Sequence, residues 1–77
     1  MKITVTYFGK LTELTGMTSE ELSIAEASVK GVKSALEQRY PSLKNSTYQI
    51  AENNSVLANE AHIQTRTLDI FPPFSGG

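Results

Sequence analysis

One stretch of this 77-residue chain is patterned as a full helix, and it has no second helix of similar length to pack on. From Val29 to Arg39, with Tyr40 just beyond, the residues Val29, Val32, Ala35, Leu36 and Tyr40 recur at spacings of three and four. That spacing gathers them on one helical face. Ser28 is a favoured N-cap residue with Glu26 just before it, and Pro41 cannot continue the helix. Gly31 inside the segment is expected to weaken it by about 1 kcal/mol relative to alanine. Lys30 and Lys33 are expected to point outward. A lone amphipathic helix needs a sheet to cover its apolar face, so the flanking segments have to supply one.

Those segments have the right pattern. In Lys2 to Phe8, Ile3, Val5 and Tyr7 share one parity, and Thr4, Thr6 and Phe8 the other, which predicts a strand with its odd positions inward. Gly9 ends it. Leu11 and Leu14 suit a short helix, Lys10 to Thr15, closed by Gly16. Ser19 to Ile24 reads as a second strand, Leu22 and Ile24 inward, pairing with the first as a hairpin. After the long helix, Leu43 is expected to fold back on the core, and Tyr48 and Ile50 mark a third strand. Asn53-Asn54 is a turn able to supply positive φ, and Ser55 to Ala58 is a short strand-like segment with Val56 and Leu57. A polar loop containing His62 leads to a last strand, Thr67 to Phe71, with Leu68 and Ile70 inward and Asp69 and Phe71 outward. The expected class is α+β, one sheet with the long helix on one face.

Composition removes whole classes of function. A net charge of −1 and no Lys/Arg cluster argue against nucleic acid as a partner. No apolar run approaches the ~20 residues that cross a bilayer, and there is no signal-peptide core, so no membrane association and a cytoplasmic location are expected. With no cysteine there is no disulfide, thiol nucleophile or thiolate metal site, and one histidine cannot make a multi-histidine site. No serine has a G-x-S-x-G context. No metal site is expected, and the chain is not expected to be an enzyme by itself.

The run Asp69-Ile70-Phe71-Pro72-Pro73-Phe74-Ser75-Gly76-Gly77 is of another kind. Pro72-Pro73 favours an extended polyproline path, and Gly76-Gly77 is thin enough to enter a slot closed to any side chain. Six residues from Pro72 reach at most about 20 Å. The expected division is a folded domain, 1–71, and an extended flexible C-terminal tail, 72–77. Ser75 serves as a small spacer. At neutral pH a terminal carboxyl group, with pKa about 3.5, is ionised. The geometry suits a carboxylate delivered into another protein's active site.

The chain resembles the small, sulfur-carrying subunit of molybdopterin synthase, in the ubiquitin-like β-grasp family of thiocarboxylate carriers. The residues that carry the resemblance are Tyr7-Phe8-Gly9-Lys10-Leu11-Thr12-Glu13-Leu14-Thr15-Gly16, the helix Ser28 to Leu36, Ala51-Glu52-Asn53, and Phe71-Pro72-Pro73-Phe74-Ser75-Gly76-Gly77. A final Gly-Gly is a weak signal alone, but Pro-Pro-x-Ser-Gly-Gly closing a chain of this length is specific. Three places depart from the family pattern. Gln64-Thr65-Arg66-Thr67 stands where an Asp-Gly-Asp-Glu turn is usual, Glu52 replaces an apolar residue, and Phe74 replaces a valine.

The resemblance implies a β-grasp fold with a mixed sheet of four to five strands. It implies that Gly77, with Gly76 as its slender lead, is adenylated at the expense of ATP by a ubiquitin-activating-type adenylyltransferase. A sulfur-donor enzyme then supplies sulfur to make a thiocarboxylate (1-thioglycine) at Gly77, with no bound cofactor. Sulfur passes to the pyranopterin precursor inside the large subunit of the synthase, where the catalytic residues lie. Because first and last strands are neighbours in a β-grasp sheet, Phe8 and Phe71 are expected to form one apolar docking patch. Val56 is placed at its rim, and Pro72, Pro73, Phe74 and Ser75 continue the contact into the partner. The alternatives are a thiamine-type sulfur carrier, a ubiquitin-like protein modifier using the same terminus, or a plain binding module.

Overall fold

The computed structural model describes residues 1–72. Strand β1 (Lys2–Tyr7) is followed by a short helix α1 (Lys10–Thr15), strand β2 (Ser19–Ser23) and the main helix α2 (Val29–Arg39). A 3-10 helix (Pro41–Asn45) leads to β3 (Gln49–Glu52), β4 (Ser55–Val56) and β5 (Thr67–Phe71). The sheet order is β2-β1-β5-β3-β4. The central strand β5 runs parallel to its neighbour β1, with Thr4 opposite Thr67 and Tyr7 opposite Ile70; the other pairings are antiparallel. A mixed five-stranded sheet with one main helix across one face is the β-grasp architecture expected from the sequence.

Alternation decides which face the helix covers. Ile3, Val5 and Tyr7 of β1, Leu22 of β2, Ile50 of β3 and Leu68 and Ile70 of β5 are all buried. They meet Val29, Val32 and Leu36 of α2 in one core that Leu11, Leu43 and Tyr48 complete. Each of these burials removes apolar surface from water, about 1.5–3 kcal/mol for a full aliphatic side chain. The helix starts where Ser28, in extended conformation, accepts the Gly31 N–H on its Oγ at 3.1 Å and donates its own hydroxyl to Glu26. Asn53 and Asn54, at φ 52° and 65°, make the two-residue turn that joins β3 to β4.

Three expectations change, and the expected stop at Pro41 has an added role. Gly31 is not simply a weak point: a Cβ there would stand 2.1 Å from the Glu26 carbonyl oxygen, so the capping loop closes only over a glycine. Lys33 does not point into solvent; it is half-buried, with Nζ 5.5 Å from the Tyr48 ring centre and 3.0 Å from Asn59 Oδ1. Pro41 ends α2 but opens the 3-10 helix that brings Leu43 into the core. The loop around His62 also contributes to the core. Its backbone bonds to the start of α2, Val29 N–H to Ala61 O at 3.0 Å and Ile63 N–H to Ala27 O at 3.1 Å, and Ile63 is buried while His62 stays exposed.

That loop is tied at its far end by Glu52, a buried carboxylate. Its Oε2 accepts from the Gln64 and Thr65 backbone N–H groups, both at 2.7 Å, and from Thr65 Oγ1 at 3.0 Å. Burial pushes the carboxyl pKa up, but the bonds from Thr65 and Gln64 outweigh it and hold the group below the usual carboxylate range. A pKa lower folded than unfolded gives stability that is present above the unfolded value and lost as pH falls through the folded one. We therefore expect Glu52→Ala, which strands two backbone donors, to cost about 2–4 kcal/mol in urea unfolding at pH 7. The difference from wild type should shrink as the pH is lowered into the acid range; a constant difference would contradict this role.

Candidate functional site

Strand parity and parallel pairing together build the described part of the site. Phe8 follows Tyr7 at the end of β1, and its N–H donates to Ile70 O at 3.0 Å, so the ladder runs one step past the strand. Phe71 stands at the same level on β5. With Tyr7 and Ile70 facing inward, Phe8 and Phe71 share the face away from the helix. Their rings stack with centroids 4.6 Å apart and planes 11° from parallel. Phe8 remains 38% exposed although it is a large aromatic in a small domain.

Val56, 50% exposed, lies on the same face by register, opposite Ala51, which is itself opposite Asp69. Strand β3, with Gln49 opposite Phe71, separates it from the aromatic pair. Val56 is thus two strands from the stack and not beside it.

Immediately after Phe71, Pro72 lies against Gly9, the residue before α1. Gly9 is the N-cap of that helix, at φ 58° and ψ −135°, and its carbonyl accepts the Thr12 N–H at 3.1 Å and the Thr12 hydroxyl at 2.8 Å. A Cβ on Gly9 would lie 3.0 Å from Pro72 Cγ and 3.5 Å from its Cδ, so the proline ring rests on bare backbone. Next to this contact, Lys10, Leu11, Leu14, Thr47 and Pro72 line a largely apolar groove of about 620 Å³. Leu14 and Met17 are exposed beyond it. The Gly9–Pro72 contact and this groove were not read from the sequence. The only signal was a glycine at a strand end, and it does not say what will rest on it.

The titratable groups gather elsewhere. Glu20, on the core side of β2, accepts the Tyr7 hydroxyl at 2.6 Å and the Tyr40 hydroxyl on Oε2, while Oε1 faces Arg39 Nε at 2.8 Å. Burial raises the Glu20 pKa, and the Tyr40, Tyr7 and Arg39 contacts more than reverse it, leaving it below the ordinary range. The Tyr7 phenol is pushed well up, first by burial and then by the Glu20 carboxylate. This cluster joins β1, β2 and the end of α2. Among the described residues no three His, Cys, Asp or Glu side chains come together as a cation site. No helix among them is long and apolar enough to cross a membrane. Pro73, Phe74, Ser75, Gly76 and Gly77 lie outside the described residues.

Comparison with known proteins bears on the whole length. The model of the ThiS family matches residues 5–77. A Pyrococcus furiosus protein described as molybdopterin converting factor, subunit 1, superposes with a TM-score of 0.80 at 22% identity, over 96% of this chain and 99% of that one. The small archaeal modifier protein SAMP1 of Haloferax volcanii gives 0.74 at 24% identity, with 100% of both chains covered. SAMP1 of Methanosarcina acetivorans gives 0.72 at 25% identity, over 99% and 96%.

Because Phe8 is largely outside the core, removing its ring should leave the fold in place. We expect Phe8→Ala to lower stability by about 1 kcal/mol, the scale of one aromatic pair. Its far-ultraviolet circular dichroism should be unchanged. A loss of several kcal/mol would mean that the stack is a core contact.

Proposed function

The chain belongs to the ThiS family, which makes it a ubiquitin-like sulfur carrier or protein modifier, and from that premise we propose the sulfur-carrier subunit of a molybdopterin synthase. The observation that carries this reading is the Phe8–Phe71 stack set directly before Pro72, so that an exposed apolar patch and the root of the Pro-Pro-Phe-Ser-Gly-Gly run form one continuous surface. Thiamine-type carriers share the glycines but usually lack the Phe-Pro-Pro element that follows the last strand here.

In this reading the folded body docks and the terminus reacts. A carboxylate is a poor electrophile, so the Gly77 carboxyl oxygen first attacks the α-phosphate of ATP in an activating enzyme, releasing pyrophosphate and forming an acyl-adenylate. Sulfur at the oxidation level of sulfide then displaces AMP, a C–S bond replacing the C–O bond to the phosphate. The thiocarboxylate formed is a soft nucleophile. Its sulfur attacks an oxygen-bearing carbon of the pyranopterin precursor in the large subunit, the C–O bond there breaks and the oxygen leaves protonated or as phosphate. Water then cleaves the acyl C–S bond. That step returns the carboxylate and leaves the sulfur on the precursor. The chain contributes no cysteine that could compete for sulfur. Phe8, Phe71 and Pro72, with Val56 further out, hold the large subunit, while Pro73, Phe74 and Ser75 lead Gly76 and Gly77 into its cavity.

A second reading, a modifier joined to protein lysines through Gly77, is favoured by the two SAMP1 likenesses. Intact mass separates the two. After incubation with ATP, the activating enzyme of the same host and a sulfur donor, a carrier gains about 16 Da as oxygen is replaced by sulfur. Covalent adducts to other proteins would instead mark a modifier, and neither product would form from a chain lacking Gly76-Gly77. For the docking patch, Phe71→Asp should weaken binding to the synthase large subunit by about 2 kcal/mol or more in calorimetry. Unchanged affinity would remove the patch from the interface.

A further inference from the structure

Residues 8 and 9 hold residues 71 and 72 from two sides. Phe8 stacks its ring on Phe71 and bonds its N–H to Ile70 O, and the next residue, Gly9, receives the Pro72 ring on its bare α-carbon. Gly9 is itself fixed, because its carbonyl takes two bonds from Thr12 in the first turn of α1. Its φ of 58° with ψ of −135° lies where L side chains are rarely found. A methyl group there would meet Pro72 Cγ at 3.0 Å, well inside the about 3.5–4.0 Å of an ordinary carbon–carbon contact. Pro72 has its φ locked by its ring, so it cannot yield by turning about that bond.

From this we infer that Gly9 is a positioning residue for the reactive end: its missing side chain seats Pro72, the residue from which that end continues. The inference rests on the proposed function for its consequence, though not for its geometry. Docking through Phe8 and Phe71 brings the body to a partner, but the Gly77 carboxyl meets the α-phosphate of ATP only if the tail starts out along the right line. A misplacement of about 1 Å at a reacting atom can lower a rate by up to about 100-fold. Substitution at Gly9 should therefore act on turnover and leave affinity alone, opposite to the effect of removing a docking aromatic.

Two readouts test it. The chain has no cysteine, so Lys44→Cys, at an exposed site, takes a single nitroxide label, and relaxation enhancement of the Ser75, Gly76 and Gly77 amides reports where the tail travels. Gly9→Ala in that background should change the enhancement profile; an unchanged profile overturns the inference whatever the protein does in the cell. ATP–pyrophosphate exchange with the host activating enzyme then reads the consequence. The expected result is a fall in kcat of about 10-fold or more with KM held within about twofold. A risen KM with unchanged kcat, or no effect, overturns it.

The double variant Gly9→Ala/Pro72→Ala separates positioning from backbone strain. If Gly9 acts through Pro72, Gly9→Ala costs less turnover in the Pro72→Ala background than in wild type, whereas equal losses in both backgrounds reject that route. Should the wild-type chain support no exchange at all, the carrier reading fails, and the relaxation profile alone still decides whether Gly9 directs the tail.

Discussion

The parallel ladder between β1 and β5 joins the two ends of the chain at the middle of the sheet. Strands 60 residues apart in sequence become neighbours, and loop-closure entropy has to be met before their bonds can form. What meets it is the apolar surface the pairing closes over. Ile3, Val5, Tyr7, Leu68 and Ile70 present one wall, against which α2 lays Val29, Val32 and Leu36. The hairpins on either side, β1–β2 and β3–β4, are local. Because the ladder is parallel, β1 and β5 finish at the same edge, so Phe8 and Gly9 come level with Phe71 and Pro72. An antiparallel pairing would have put them at opposite edges, with no stack and no seat for the proline.

Polar groups hold the parts that apolar burial does not reach. Glu52 gathers three donors from Gln64 and Thr65 where the run before the last strand lacks an Asp-Gly turn. A buried acid on β3 thus ties down the loop that leads into β5. Glu20 does similar work on the edge strand β2. It points inward from an edge strand and takes Tyr7, Tyr40 and Arg39 at once. An inward charge on an outer strand also discourages pairing with another chain. Both carboxylates stabilise the fold in their ionised form, so acid acts on both sides of the sheet's centre together.

Under the proposed function this gives a division between a body that docks and an end that reacts. The titratable clusters are taken up in holding the fold, and the outer sheet face carries the aromatic stack. The chain belongs to the ThiS family, and its two kinds of structural neighbour share its fold.

Much of the architecture was legible in the residues. Two-residue alternation in β1 and β5, the three-and-four spacing of α2, the Ser28 cap, the Asn53-Asn54 turn and the stop at Pro41 are local rules, each satisfied within a few residues. The same rules, with the neighbour relation implied by family resemblance, put Phe8 and Phe71 on one outward face. Other features were out of reach because they join segments distant in sequence or depend on how closely two backbones approach. Ile63 lies in no periodic pattern and is buried only because its loop pairs with the start of α2. Gly31 looked like a flaw until Glu26 came within reach of it. Val56 has the right parity but sits two strands away, a distance that strand order sets and alternation does not. Gly9 read as the end of a strand; only the packing of Pro72 against it makes the absence of a side chain there significant. The sequence by itself determined which segments form and which face each one buries, since those follow from local periodicity. Tertiary structure decided which bare backbone meets which ring, because close approach depends on where whole elements come to rest.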